Sequence, residues 1–234
     1  MHPINKIFDK IICINLAERP EKREKSQQNF NILGLDVEFF TAVKYDFIPN
    51  IVPAINQSGT GKFNPKQPYE LGAALSHYHV IKQALAEGAE RIFVMEDDVM
   101  FHKNFNKKWD LYYRNLPKNW DMFLLYSFMY EWLPQNKRMN AYWAKSYRSW
   151  SLMTYGMNRR LMEAYIEMQN KHFTISDMVT YKLQENPLYN CYSAVPSLCI
   201  PSTASSDIRG IKNYEQNQTV TNWGVSNDEY ELSY

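Results

Sequence analysis

A short apolar run that ends in three consecutive carboxylates constrains the fold of this chain more than any other stretch. Residues 92–95 have the uninterrupted hydrophobic character of a β-strand buried on both faces, as in parallel sheets. Glu96, Asp97 and Asp98 follow at once, and three adjacent anions cannot enter a core without a countercharge. We therefore expect the carboxylates at the carboxyl end of the strand, which is where open α/β sheets bind ligands.

Two interpretations of this acidic triplet follow from its chemistry. A divalent cation, held by oxygen ligands and bound to substrate phosphates, would neutralise the charge. A solvated acidic turn without a ligand is the simpler alternative. The surrounding chain has to decide between them.

Length and composition allow a large α/β core and give no reason to expect a nucleic-acid partner. The chain has 234 residues, of which 45% are hydrophobic. Lys and Arg number 26 against 25 Asp and Glu, so no basic surplus favours nucleic acid. Cys13, Cys191 and Cys199 have neither metal-site nor disulfide spacing. We expect reduced cysteines and a cytoplasmic protein.

The sequence predicts no membrane-spanning or secretory segment. No apolar run reaches the roughly 20 residues that a transmembrane helix needs. Residues 11–16 are too short for the core of a signal peptide, and no cleavage site follows them. Peripheral association through the protein surface is the form of membrane contact left open.

The predicted elements alternate between strand and helix, as a parallel sheet with right-handed crossovers requires. A strand over 11–16 precedes a helix that begins at Pro20 and is stopped by Gly34. A strand over 37–41 and a helix over 69–87 lead into the acidic strand. Further strands are predicted at 121–126, 151–155 and 188–195, with helices at 104–115, 158–168 and 176–183.

Three regions lack a regular period. Residues 44–68 hold four prolines and two glycines and are predicted to form a long loop. Residues 128–150 are rich in Tyr and Trp, so we expect a hairpin or an irregular aromatic lobe. From Pro201 the chain is polar, and we divide it into one α/β domain over 1–208 and a tail over 209–234.

Polar groups near the predicted strand and helix ends are candidate site residues. Asn15, Arg19 and Arg23 surround a helix start after a strand, which suits a phosphate or nucleotide, although a solvated helix start has the same composition. Ser76 and His77 lie within a helix without the elbow of a hydrolase nucleophile, so packing is their default interpretation.

Two later carboxylates carry no function by themselves. Asp177 falls at a predicted helix start, where the helix dipole stabilises negative charge. Asp207 lies in a polar turn of the C-terminal region. Only their combination with the other motifs draws attention to them.

Taken in order, these stretches resemble glycosyltransferase family 25, the family of lipooligosaccharide-type and collagen-type galactosyltransferases. Residues 14–23 (INLAERPEKR) are similar to its opening INL-x-x-R-x-x-R stretch. Residues 72–77 (GAALSH) are similar to its G-x-x-x-S-H helix, and 93–99 (FVMEDDV) to its EDD strand end. Residues 154–160, 176–177 and 206–208 are looser matches, and Ala17 departs from the expected Asp or Arg.

The resemblance implies a GT-A fold, with a Rossmann-like, mostly parallel sheet flanked by helices. It implies a metal-dependent, inverting transfer of a hexose from a UDP-sugar, with Mn²⁺ or Mg²⁺ as the metal ion. UDP-galactose or UDP-glucose is the donor that members of this family typically use. The acceptor would be a hydroxyl of a saccharide or protein. By the same resemblance Asp98 would bind the metal, Glu96 the metal or the ribose, and Asp97 the donor sugar.

The remaining roles also follow from the resemblance. Asn15, Arg19 and Arg23 would bind the nucleotide, while Ser76 and His77 would line the donor site. Tyr and Trp side chains of residues 126–150 would offer a stacking surface to an acceptor sugar.

Inversion by a single displacement needs a base that takes the proton of the acceptor hydroxyl. Asp177 is the candidate, with Asp207 in reserve as base or second metal ligand. Two other functions stay open. One is a metal-dependent nucleotidyl or phosphoryl transferase, which needs the same carboxylates. The other is a catalytically silent carbohydrate-binding relative.

Overall fold

The computed structural model describes residues 2–44, 68–127, 135–202 and 229–230, and the fold is given for these residues. In chain order the elements are α1 (Ile4–Ile7), β1 (Lys10–Asn15), α2 (Pro20–Leu33), β2 (Glu38–Thr41), α3 (Pro68–Ala86), β3 (Arg91–Glu96), β4 (Val99–Phe101), α4 (Phe105–Asn115), β5 (Met122–Leu124), β6 (Trp143–Lys145), β7 (Thr154–Asn158), α5 (Arg159–Lys171), α6 (Ser176–Glu185), β8 (Cys191–Ala194) and β9 (Cys199–Pro201).

Seven of these strands form one sheet in the order β2-β1-β3-β7-β5-β8-β6. The strands β1, β2, β3, β5 and β8 run in one direction, and β7 and β6 run against them. A separate antiparallel pair joins β4 to β9. The predicted α/β architecture with a mostly parallel sheet is confirmed.

Local sequence signals account for several element ends. Pro20 occupies the first turn of α2, where its missing N–H costs nothing. Gly34 ends α2 with a φ of 71°, a left-handed conformation that glycine adopts without strain. Asn158 caps α5, since its side chain accepts a hydrogen bond from the backbone N–H of Leu161 at 3.1 Å.

The sheet has an apolar layer on each face. Alternate residues of β3 point to opposite sides, so Phe93 and Met95 join one buried cluster and Ile92 and Val94 join the other. The first cluster includes residues of α1, α2 and α4, and the second includes residues of α3, α5 and α6. Helices on both faces explain why β3 reads as a continuous apolar run.

The structure corrects several predicted boundaries. β7 begins at Thr154 rather than at 151, because Ser151 has a φ of 89°, outside the range of an extended strand. β8 is shorter than the predicted 188–195, while α5 and α6 run two to three residues further than predicted. β9 was not predicted at all.

Parts of the predicted loop, lobe and tail lie outside the described residues, namely 45–67, 128–134, 203–228 and 231–234. Within the described part of the aromatic stretch, β6 pairs with β8 at the sheet edge. In the predicted tail, Tyr230 is 1% exposed and donates a hydrogen bond to the backbone oxygen of Ser197 at 2.7 Å. This residue of the tail therefore packs against the α/β core.

Candidate functional site

The carboxyl ends of β1 and β3 lie side by side, because Ile14 of β1 pairs with Glu96 of β3. The loop after β1 and the acidic turn after β3 therefore meet, and the first half of α3 forms a third wall. A cavity of about 290 Å³ opens between them. Its polar and charged lining consists of Glu18, Arg19, Lys22, Lys44, Tyr69, Ser76, His77, Glu96, Asp97 and Asp98.

Asp97 is the most compensated carboxylate of the triplet. Asn15 donates a side-chain hydrogen bond to it at 2.6 Å, and the Lys22 ammonium lies 3.7 Å from its other oxygen. Ser26 Oγ donates to its backbone oxygen at 3.1 Å. Burial raises the pKa of Asp97, and the charge of Lys22 opposes that rise. Asp97 thus ties the loop after β1 and the start of α2 to the acidic turn.

Asp98 lacks this compensation. Its Oδ1 is buried and, among the described residues, has no hydrogen-bond partner. Burial, followed by the neighbouring charges of Glu96 and Asp97, raises its pKa to about 7. A buried carboxylate oxygen without a partner is costly unless something binds it, so Asp98 is the residue of the cavity that most needs a ligand.

The Glu96 side chain is hydrogen-bonded to a buried histidine. Its Oε1 lies 3.2 Å from Nε2 of His77, and Nδ1 of His77 lies 3.1 Å from the hydroxyl of Tyr155. The His77 side chain is 3% exposed and the Glu96 side chain 33% exposed, so the contact runs from the core to the cavity wall. The sequence places Tyr155 in a predicted strand and in the loosely matching segment 154–160 but assigns it no role at the site.

Ser76 has a structural role in the described residues. Its hydroxyl donates to the backbone oxygen of Gly72 at 2.7 Å and accepts from the backbone N–H of Val43 at 2.8 Å. It thereby joins α3 to the segment after β2. Both bonds occupy the hydroxyl, which agrees with the packing interpretation rather than with a nucleophile.

The structure separates the two arginines of the first loop. Arg19 lines the cavity, and its Nε lies 2.5 Å from Oε1 of Glu21. Arg23 is not among the lining residues, and its guanidinium lies over the ring of Phe39, 4.2 Å from the centroid. Asn15 is not a lining residue either, and it contacts the cavity only indirectly, through its hydrogen bond to Asp97.

Sequence reasoning missed two cations of the cavity. Lys22 lies three residues after Arg19, one helical turn on, so the spacing could have identified it. Lys44 follows β2 at the edge of the predicted loop, and its ammonium is 3.0 Å from Glu18. Together with Arg19 they form the cationic rim of the cavity, and Arg19, Lys22 and Lys44 are paired with the carboxylates of Glu21, Asp97 and Glu18, respectively.

The residues present suit a divalent cation that is completed by its substrate. Within the described ranges no three His, Cys, Asp or Glu side chains converge as a ready-made metal site. Mg²⁺ is usually held by one or two carboxylates together with substrate phosphates and water. Asp98, with an unpartnered buried oxygen, and Glu96, with one oxygen bound to His77, match that ligand set.

The structure does not bring the predicted bases into the cavity lining. Asp177 lies in the first turn of α6 and is not a lining residue. Asp207 lies outside the described residues. The role of each as a base stays a prediction.

Two of the five described aromatic residues of 126–150 are buried, and three are partly exposed. Trp143 is 1% exposed and donates its indole N–H to the backbone oxygen of Tyr112 at 2.7 Å. Tyr126 is also buried. The half-buried ring of Trp150 lies 5.3 Å from that of Tyr181 in α6. Tyr142 and Tyr147 are likewise partly exposed, so the acceptor-stacking surface stays a prediction.

Residues 8–175 match the family model described as "Glycosyltransferase family 25 (LPS biosynthesis protein)". A "Glycosyltransferase 25 family member" of Aedes aegypti is 34% identical over 111 residues, which cover 42% of this chain and 17% of that protein. The "Inactive glycosyltransferase 25 family member 3" of Homo sapiens is 33% identical over 107 residues, or 42% of this chain and 18% of that protein. The matches thus span less than a fifth of the relatives' length.

One solved structure is similar over most of both chains. The crystal structure of a glycosyltransferase involved in the glycosylation of the major capsid of PBCV-1 has 13% identity and a TM-score of 0.48, covering 84% of this chain and 93% of the other. In the described part of the present chain, no helix is long and apolar enough to cross a membrane.

Proposed function

Because this chain belongs to glycosyltransferase family 25, we propose that it is a metal-dependent, inverting glycosyltransferase. It moves a hexose, galactose or glucose, from a UDP-sugar to a hydroxyl of a saccharide or protein. The observation that carries this proposal is the unpartnered buried oxygen of Asp98 at the wall of a cavity rimmed by Arg19, Lys22 and Lys44.

The charge pattern of the cavity supports a nucleoside diphosphate. A diphosphate presents anionic oxygens to both a cationic rim and a bound metal ion. Arg19 and Lys22 lie at the start of α2, whose backbone N–H groups also favour an anion. The acidic triplet faces the same space and would repel a diphosphate without a cation between them.

Each carboxylate of the triplet has its own task in this proposal. Asp98 and Glu96 hold Mn²⁺ or Mg²⁺, which when bound stabilises the charge that develops on the diphosphate leaving group. Asp97, fixed by Asn15 and Lys22, contacts the donor sugar. His77 orients the Glu96 carboxylate through the hydrogen bond between them.

The acceptor side of the reaction needs a base. Asp177 takes the proton of the acceptor hydroxyl, with Asp207 in reserve. Asp177 lies in the first turn of α6, and the motif resemblance at residues 176–177 supports this assignment.

We also propose a cytoplasmic location. Cys13, Cys191 and Cys199 are free and buried. Burial raises the pKa of Cys191 to about 12, so this thiol is a poor nucleophile and fits a reducing compartment as a structural residue.

A catalytically silent relative is the second candidate function. Some relatives, such as the human protein matched here, are named inactive. The described residues also lack a complete metal site. Such a protein would bind UDP or a glycan in the same cavity without turnover.

Product analysis tests the proposal. Incubation with Mn²⁺ and UDP-galactose or UDP-glucose should release UDP, and EDTA should stop the release. Asp98→Asn should slow it about 100-fold or more, whereas Asp110→Asn, the same change in α4 beside Arg114, should not. Pyrophosphate or phosphate release from nucleoside triphosphates would instead support the nucleotidyl or phosphoryl transferase. UDP binding without turnover would support the silent relative.

A further inference from the structure

A buried tyrosine in the middle of the sheet is connected to the cavity. Tyr155 belongs to β7, between β3 and β5, and pairs with Val94 of β3 and Leu124 of β5. It has no exposed surface and packs in the cluster formed by α3, α5 and α6. A hydroxyl at such a position needs a hydrogen-bond partner.

That partner is His77. The Tyr155 hydroxyl lies 3.1 Å from Nδ1 of His77, and Nε2 of the same ring lies 3.2 Å from Oε1 of Glu96. Two hydrogen bonds in series therefore connect the centre of the sheet to a carboxylate at the cavity wall. The three residues come from β7, α3 and β3, so only the folded chain assembles them.

The proton positions follow from the chemistry of the three groups. A carboxylate oxygen of Glu96 accepts the hydrogen bond when Nε2 of His77 carries the hydrogen. Burial raises the pKa of Tyr155 well above its ordinary value, so the phenol keeps its proton. The tautomer with hydrogen on Nε2 leaves an acceptor at Nδ1, which the phenol proton satisfies.

We propose that Tyr155 is a positioning residue for donor binding. Its hydroxyl fixes the ring of His77, which in turn orients the Glu96 carboxylate towards the cation or the ribose of the donor. This inference rests on the proposed function, because it assigns Glu96 to the donor complex. Groups that orient a site carboxylate from behind typically alter affinity or activity about 10- to 100-fold when they are removed.

Tyr165 supplies a matched control for this role. It is also fully buried and lies in the same apolar cluster. Its hydroxyl donates to Ser176 Oγ at 2.8 Å and lies 3.3 Å from the amide nitrogen of Gln169, so its hydrogen bonds stay within the helical layer. Replacing either tyrosine by phenylalanine removes one buried hydroxyl and keeps the ring.

The experiment compares Tyr155→Phe with Tyr165→Phe. Isothermal titration with UDP in excess Mn²⁺ measures donor-site affinity, and ¹⁵N NMR of the imidazole reports the tautomer of His77. We expect Tyr155→Phe to weaken UDP binding about tenfold or more and to shift the His77 ring nitrogens. Tyr165→Phe should change UDP affinity by less than about twofold and leave these signals in place.

A side-chain rescue adds a second measurement. His77→Gln retains an N–H that can reach Glu96, whereas His77→Ala does not. The glutamine variant should therefore bind UDP more tightly than the alanine variant. If both variants lost the same UDP affinity, an N–H group directed at Glu96 would not be the role of His77.

Other outcomes overturn the inference in distinguishable ways. Wild-type affinity in Tyr155→Phe, or equal losses in the two phenylalanine variants, would reduce Tyr155 to a packing residue. If the wild-type protein binds no UDP with either Mn²⁺ or Mg²⁺, the proposed function fails. Unchanged His77 signals in Tyr155→Phe would then overturn the positioning role, and shifted signals would support the His77 part of it independently.

Discussion

Three adjacent carboxylates of similar chemistry have three different environments in this protein. Asp97 accepts a hydrogen bond from Asn15 and lies near the Lys22 ammonium, and Glu96 is hydrogen-bonded to His77. Asp98 has a buried oxygen without a partner among the described residues. This difference, rather than the number of charges, makes Asp98 the residue that a cation would bind first.

The raised pKa of Asp98 predicts a pH-dependent stability. The carboxyl releases its proton near pH 4 in the unfolded chain and near pH 7 in the folded protein. Between these values the folded state holds more protons, so the free energy of unfolding falls as pH rises. Chemical denaturation in EDTA should show a loss of roughly 2–4 kcal/mol from pH 5 to pH 8 from this group.

Variants identify the source of that loss. Asp98→Asn cannot ionise, so its stability should depend less on pH, and it should exceed the wild type at pH 8. Asp110→Asn makes the same change on the exposed side of α4 and should follow the wild type. A pH dependence that persists in Asp98→Asn would show that other groups cause it.

For single residues, the sequence predicts which side chains belong to the site but not the role of each. The positions of the acidic triplet and Arg19 at one cavity follow from strand and helix ends that the pattern predicts, whereas His77 lies inside α3 and was assigned to the site by the family resemblance. The partner of each carboxylate does not follow, because Asn15 and Asp97 are 82 residues apart and His77 and Tyr155 are 78 apart. Such contacts depend on side-chain packing that no local period encodes.

Among the elements, β7 has a close-packed position at Gly156. A Cβ atom at this residue would overlap the ring of Phe123 in the neighbouring β5. Phe123 is fully buried, and its ring is surrounded by those of Phe8, Trp120 and Trp143. The ring has little room to move, so the strand requires glycine at this point.

Gly156→Ala should therefore destabilise the protein by about 1–3 kcal/mol through overpacking. Urea unfolding measures the change. In a Phe123→Leu background the smaller side chain leaves room, so the same substitution should cost less, and the difference gives the coupling between the two positions. Equal costs in both backgrounds would contradict the steric explanation.

The sequence predicts long elements better than short ones. The α2 helix has end signals at Pro20 and Gly34, and α3 has apolar residues at spacings of three and four, so their predicted bounds agree with the structure to within one or two residues. β9 has three residues and pairs with β4 almost a hundred residues earlier. A strand of that length has too few residues to show a period, so only the tertiary pairing defines it.

The molecule as a whole is a sheet with an apolar layer on each face, and part of its C-terminal region contributes to one layer. Tyr230 belongs to the cluster that includes Phe105 and Trp109 of α4. Its ring lies 5.3 Å from that of His102, and Lys103 donates its backbone N–H to Glu229 at 2.7 Å. Glu229 and Tyr230 therefore contribute to the stability of the domain.

Substitution of Tyr230 measures this contribution. Tyr230→Ala removes a buried ring and should cost about 3 kcal/mol. Tyr230→Phe loses only the hydrogen bond to Ser197 and should cost about 1 kcal/mol. Leu111→Ala, at an exposed position of α4, should change stability by less than about 0.5 kcal/mol. Thermal or urea unfolding that finds Tyr230→Ala as stable as the wild type would contradict the packing of this residue.

Titration of UDP into the wild-type protein and Asp98→Asn, with and without Mn²⁺, tests the central claim most directly. We predict that the wild type binds UDP at least about tenfold more tightly with Mn²⁺ than in EDTA, because in the proposed site Asp98 would bind the ion together with the diphosphate. Asp98→Asn should show no such difference, while Asp110→Asn should keep it. Mn²⁺-dependent UDP binding that survives in Asp98→Asn, or UDP binding absent from the wild type, would contradict the assignment of this cavity as a metal-dependent donor site.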